Sequence, residues 1–176
     1  FGIRKRLLEY DDVMNSQREV VYTKRKNALF GERIDVEISN MIYEVGEGIV
    51  EKNYSDADFD NFSYELTKTL SIESPFARDR FIKINSDEIV EKINEKAQET
   101  FKRKMIAITD KVFPFVRDVY EKQSKQYEYI LIPISDGTRI FNIRVNLAKA
   151  YETKGREIIK AFKKTIMLVA IDEVWK

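Results

Sequence analysis

From Ile3 the apolar or bulky positions run Ile3, Leu7, Tyr10, Met14, Val21 and Ala28, with Gln17 and Lys24 filling the intervening seam sites. Steps of alternately four and three make a heptad stripe over about four repeats, the signature of a long helix that packs along one face. The pattern predicts helix from Phe1 to Phe30, on the order of 45 Å at 1.5 Å per residue, with Gly31 as its stop. Arg33 to Lys52 reads as a second helix, with Ile34, Ile38, Met41, Ile42 and Val45 on one side; Gly46 and Gly48 weaken its end, each by about 1 kcal/mol relative to Ala. Ser55, with Asp58 three residues on, predicts an N-cap for a short helix to Leu70, along which Phe59, Phe62, Leu66 and Leu70 line up. Residues 71–85, with Pro75, read as a connection.

Asn85 and Ser86 offer caps for the longest internal helix, and Asp87 and Glu88 sit in the first turn, where the helix dipole favours them. Ile89, Ile93, Ala97, Phe101, Met105, Ile108 and Val112 form its expected buried stripe. Pro114 removes a hydrogen bond and clashes one turn back, which predicts a kink or a restart before a last stretch to about Glu121. There the period changes from 3.6 to 2. Tyr127 to Ile134 and Thr138 to Val145 flank Asp136-Gly137, a strong hairpin signal. A two-residue loop sets Ser135 opposite Thr138 and puts Ile130, Ile132, Ile134, Phe141, Ile143 and Val145 on one face. Tyr127, Tyr129, Arg144 and Asn146 fall on the other. From Leu147 the helical period returns and runs to Lys176, with Ile159, Phe162, Ile166 and Val169 as one seam and Leu168, Ile171 and Trp175 widening it. The expected class is mainly α, a multihelical arrangement with one β-hairpin at about 127–145.

Composition narrows the chemistry. The 176 residues are long enough to bury roughly 70% of the unfolded surface. Thirty-one basic and thirty acidic side chains leave a net charge of +1, which argues against a general grip on nucleic acid. With no cysteine and no histidine, thiol nucleophiles, Cys/His zinc sites and imidazole acid–base catalysis are excluded. No apolar run reaches the 18 or more residues of a membrane span. None of the six glycines falls in the G-x-x-x-x-G-K frame that cradles nucleotide phosphate. The chain opens on Phe1 inside a helical pattern, and both ends read as parts of long helices belonging to something larger.

The first segment, RKRLLEYDDVMNSQREVVY, closely resembles the start of the helical scaffold of the SecA family, the motor ATPases of bacterial preprotein translocation. The resemblance rests on Arg4, Leu7, Leu8, Glu9, Tyr10, Asp11, Asp12, Val13, Asn15, Gln17 and Arg18. IDEVWK, through Asp172 and Trp175, looks like the point where that family's chain returns to the scaffold, before a histidine-containing continuation that this sequence lacks. The resemblance implies residues 1–32 as the first scaffold helix, 33–146 as the helical wing subdomain and 147–176 as the returning scaffold helix. That family's wing is all-helical, and the hairpin departs from it.

The resemblance implies a module without its own cofactor, inside a parent that uses ATP and magnesium. The implied partners are the parent's other domains, the preprotein chain, the translocation channel and, through the parent, an anionic membrane surface. The implied location is cytoplasmic, peripheral at the inner membrane. Leu7, Tyr10, Met14, Val21 and Trp175 would then pack against other scaffold elements, with Leu8 among the scaffold contacts. Arg4, Glu9, Asp11, Asp12, Gln17, Arg18 and Asp172 would make polar contacts between domains.

Each feature also has a plainer reading. Asp11 and Asp12 project about 100° apart on a helix, so they do not converge on one ion and fit a solvated face or salt bridges to another domain. Lys149, Arg156, Lys160 and Lys163 make a basic stripe of the kind that ordinarily faces solvent, and Lys24, Arg25 and Lys26 are read as solvent-facing too. The Phe59/Phe62/Leu66/Leu70 stripe reads as core before it reads as a peptide groove. Two other classes stay open: a free-standing adaptor whose heptads dimerise as a coiled coil, and a hydrolase using clustered carboxylates.

Overall fold

Residues 2–30 carry a heptad apolar stripe with Leu, Glu, Lys, Arg and Gln among it and no proline, and they form α1 (Gly2–Phe30). The computed structural model describes residues 2–31, 33–123, 125–135 and 137–174, without the side chains of residues 2, 3 and 174. α1 is followed by α2 (Ile34–Tyr54), α3 (Phe59–Glu65) with a π-helical turn over Leu66–Leu70, α4 (Arg78–Phe81) and α5 (Ser86–Gln123). Strands β1 (Tyr129–Ser135) and β2 (Ile140–Asn146), then α6 (Leu147–Glu152) and α7 (Arg156–Val174), complete the order. The chain is mainly α with one antiparallel hairpin, as its patterning predicts.

By packing it divides into two compact units, residues 1–34 with 112–176, and residues 35–111. The hairpin therefore shares a unit with α1 and α7, whereas the family resemblance groups it with residues 33–146.

In the first unit, the hairpin's inner face closes over Val116 of α5 and over α6 and α7. Ile132, Ile143, Val145, Leu147, Ala150 and Ile158 form the core, and Phe162, Ile130 and Phe141 pack at its edge. Tyr120 stacks on Tyr151 with ring centres 4.1 Å apart. The faces are those the alternation predicts, and Arg144 lies over Tyr129 on the outside, 4.2 Å from the ring centre. The register differs. Ser135 pairs with Ile140, not Thr138, so the loop is four residues long; Asp136 lies outside the described residues. A slip of two keeps every side chain on its face, and a slip of one would have inverted them. Leu147 N–H donates to the Glu128 carbonyl at 2.9 Å, prolonging the ladder by one pair. Bonded and non-bonded pairs alternate in such a ladder, so the odd positions of β1 point their amides outward. Pro133 occupies one of them and costs no ladder bond.

The return from the hairpin is two helices, not one. α6 ends in a Schellman arrangement: Lys154 N–H donates to the Tyr151 carbonyl and Gly155 N–H to the Ala150 carbonyl. Lys154 and Gly155 have φ of 51° and 87°. Thr153 then caps α7, its Oγ1 accepting from the amide of Glu157 at 3.1 Å. The expected basic stripe is split by this turn, with Lys149 on α6 and the others on α7.

α7 runs antiparallel to the second half of α1. Arg25 pairs with Asp172, Ala28 is buried, and Gly31, at φ +72°, passes so close to Lys160 that an added Cβ would sit 3.0 Å from its Cε. Gly31 ends α1 as predicted, its N–H donating to the Ala28 carbonyl.

The second unit is built around Phe62, Leu66, Phe81, Ile89 and Ile93, all at 0% exposure. Phe81 stands at its hub, its ring centre 4.5 Å from that of Phe62 and edge-on to Phe59 and Tyr54. The Phe59/Phe62/Leu66/Leu70 stripe is thus core. Several local expectations are corrected here. The cap of α3 is Asp58, whose carboxylate accepts from Asn61 N–H at 3.0 Å; Ser55 lies further out, in the turn before it. The connection over 71–85 contains α4.

α2 buries Ile34, Ile49, Val50 and Asn53, while Met41 and Val45 of the expected stripe stand outside. Buried Asn53 is fully bonded: its amide donates to Ile49 O at 2.8 Å and Glu65 Oε2 at 3.1 Å, and its Oδ1 accepts from Asn61. Gln98 Nε2 donates to Ser39 Oγ at 2.6 Å, tying α5 to α2. α5 runs through Pro114 as one helix, with no restart.

Candidate functional site

The segment that carried the resemblance is the first half of α1. A helix pairing antiparallel with α7 buries its seam only as far as α7 reaches. Arg25 meets Asp172 near the end of α7, so most of the roughly six turns of α1 that precede Arg25 rise past it. Within the pair, Ala28 is buried and Val21, beside Asp172, is half-buried, as is Met14 further up the helix. Further up the same seam, Leu7 and Tyr10 are 59% and 62% exposed. Leu8 and Val13 are exposed beside them. One helix thus has two environments, a docked half and a half whose apolar side chains face water.

The polar residues are arranged accordingly. Arg4, Glu9, Asp11, Asp12, Gln17 and Arg18 are all exposed. Lys5 Nζ lies 3.8 Å from Glu9, an exposed i,i+4 pair worth about 0.3–0.5 kcal/mol. Asp172 is half-buried and is drawn to Arg25. Beside that pair, Arg18, Val21 and Tyr22 frame a shallow groove of about 450 Å³ between α1 and α7. Trp175 lies outside the described residues. The structure therefore brings Arg18 and Asp172 to one groove and leaves Arg4 through Asp12 as an open surface.

A second concavity, invisible to the periodicity, lies within the unit of residues 35–111. It is a groove of about 340 Å³ between α2 and the π-helical turn, floored by Gly48 and Ile49. Lys52 and Asn53 bond Glu65 there and hold its carboxyl below the usual carboxylate range.

No glycine lies in a phosphate-loop frame. Among the described residues no three His, Cys, Asp or Glu side chains come together as metal ligands do. No described helix is long and apolar enough to cross a membrane.

A mainly helical chain with one hairpin, whose long first helix docks towards its C-terminal end and keeps an apolar seam exposed at the other, is the class the fold defines. Comparison with known proteins makes this specific. The profile of the SecA wing and scaffold domain matches residues 1–176, and the chain belongs to that family. It is 49% identical over 176 residues to the protein translocase subunit SecA of Parabacteroides distasonis, 50% to that of Phocaeicola vulgatus and 44% to that of Christiangramia forsetii. Each match covers all of this chain and 16% of the relative, so the chain spans about one-sixth of the length of the curated relatives it matches. No solved structure matches it.

Proposed function

We propose that this chain is the wing and scaffold module of a preprotein translocase motor. Its role is mechanical: α1 binds other domains of the longer protein along its open half and couples their ATP-driven movement to passage of an unfolded polypeptide through a membrane channel. In this reading ATP and magnesium are held elsewhere in the longer protein, and the module itself catalyses nothing. Its partners are those other domains, the preprotein, the channel and, through the whole protein, an anionic membrane surface. It works in the cytoplasm, peripheral to the inner membrane. A net charge of +1 gives no general attraction to nucleic acid.

The observation that supports this reading is the exposure of Leu7, Leu8, Tyr10 and Val13 on a helix whose other half is docked. Full burial of each such side chain contributes about 1.5–3 kcal/mol, so a partner covering all four gains substantially. The coiled-coil alternative has less to work with, because Ala28 of the same seam is buried and Val21 lies beside Arg25 and Asp172.

The test uses the full-length protein carrying Leu7→Ala and Tyr10→Ala together, assayed for preprotein import into membrane vesicles and for ATP hydrolysis. Import should fall sharply while ATP hydrolysis persists, uncoupled, and the thermal melt of the 176-residue chain should be unchanged by the same substitutions. Wild-type import would refute the proposal. Light scattering on the 176-residue chain decides the alternative, which requires a dimer that these two substitutions dissolve.

A further inference from the structure

The hairpin's two strands are not equally protected. α7 packs against β2, whereas β1 ends a two-stranded sheet with no further strand beside it. The odd positions of β1 turn their amides away from β2. Among the described residues nothing accepts a hydrogen bond from those of Tyr129 and Leu131. A row of unpaired N–H and C=O groups is a template for another strand.

The side chains on this edge favour such pairing. Residues 129–135 read YILIPIS, without a charge, and short uncharged segments rich in β-branched and aromatic residues pair readily. Their outer face is apolar and wet: Tyr129 is 43% exposed, Leu131 64% and Ile140, opposite Ser135, 69%. Folded proteins blunt an edge of this kind with charge, a bulge, a covering element or proline. Tyr129, Leu131 and Ser135 supply no charge. The register runs unbroken from Tyr129 to Ser135, so no bulge turns the edge away. Arg144 lies over the Tyr129 ring and so covers the face, not the edge. What remains is Pro133.

We infer that Pro133 is a guard residue, which keeps the free edge of β1 from pairing with the same edge of a second copy. A second β1 laid antiparallel about Leu131 would set Tyr129 against position 133 and Leu131 against itself, each facing pair exchanging N–H···O bonds. Pro133 has no N–H for the Tyr129 carbonyl of the other copy, and its ring fills the space that carbonyl would take. Registers that use most of the strand meet the same gap. At an outward position the proline does this without breaking a bond to β2. The inference follows from the hairpin's edge alone and is independent of the translocase reading.

The experiment restores the missing donor. Pro133→Val in the full-length protein is compared with wild type, at low and at high concentration, by sedimentation velocity and by hydrogen exchange resolved to single residues. In wild type the amides of Tyr129 and Leu131 should exchange fast at both concentrations, and those of Ile130, Ile132 and Ile134 slowly. At high concentration the Val variant should form a larger species than wild type, with the Tyr129 and Leu131 amides slowed at least about tenfold. Moving the proline, as Leu131→Pro with Pro133→Val, should return both readings to wild type, since position 131 also points outward and is exposed. Leu131→Ala with Pro133→Val keeps the amide and should still associate. Melts at low concentration should hold each variant within about 4 °C of wild type, which separates edge pairing from unfolding. Slow Tyr129 and Leu131 amides in wild type would mean that the edge is already occupied and would overturn the inference. So would a Val variant that matches wild type, or a relocated proline that fails to restore it.

Discussion

At the scale of single residues, the chain's stability turns on side chains whose roles depend on distant neighbours. Phe81 is the clearest. It is fully buried and touches the rings of Tyr54, Phe59 and Phe62. Phe81→Ala should cost about 3–5 kcal/mol, read as a lowered denaturation midpoint of the 176-residue chain; a loss under about 1 kcal/mol would contradict the packing described. Nothing in the sequence near position 81 announces this, because α4 is four residues long and too short to show a period. Asn53 is similar: a polar residue on an apolar face is legible only once Ile49, Asn61 and Glu65 are seen to satisfy it. Ser55, with Asp58 as its capping-box partner, was the expected cap of α3; Asp58 itself takes that place, accepting from Asn61 N–H.

At the scale of elements, long periodic stretches were legible and their joints less so. α1 spans Gly2–Phe30 against an expectation of 1–30 and ends at Gly31 as anticipated, because 29 residues of one period leave little ambiguity. Gly31→Ala should destabilise the chain by about 1–2 kcal/mol, the cost of holding an L-residue at left-handed φ, with Lys160 displaced from its place over the backbone. An unchanged melt would mean that α1 does not end as described.

The hairpin's faces followed from alternation alone, which survives a register shift of two; the register itself depended on loop length, where Asp-Gly suggested two residues and the chain uses four. The break between α6 and α7 was missed for a different reason. The apolar period carries across 153–155 almost in phase, and Gly155 was the only local sign.

At the scale of the whole molecule, two distant stretches that the patterning marks only as separate apolar stripes run head to tail from Arg25–Asp172 to Gly31–Lys160. The open upper seam was not legible as open, since a heptad stripe looks the same whether or not its partner is present. What marked it was the resemblance of residues 4–18 to a scaffold helix, a segment whose apolar side chains prove to face water.

Amide hydrogen exchange, measured on the 176-residue chain and on the full-length protein, tests the claim that this surface is a docking face. In the 176-residue chain, residues 4–13 should exchange far faster than 21–30, since little packing resists their opening. In the full-length protein residues 4–13 should slow by at least about tenfold while 21–30 change little. Equal, fast exchange of residues 4–13 in both would contradict the account.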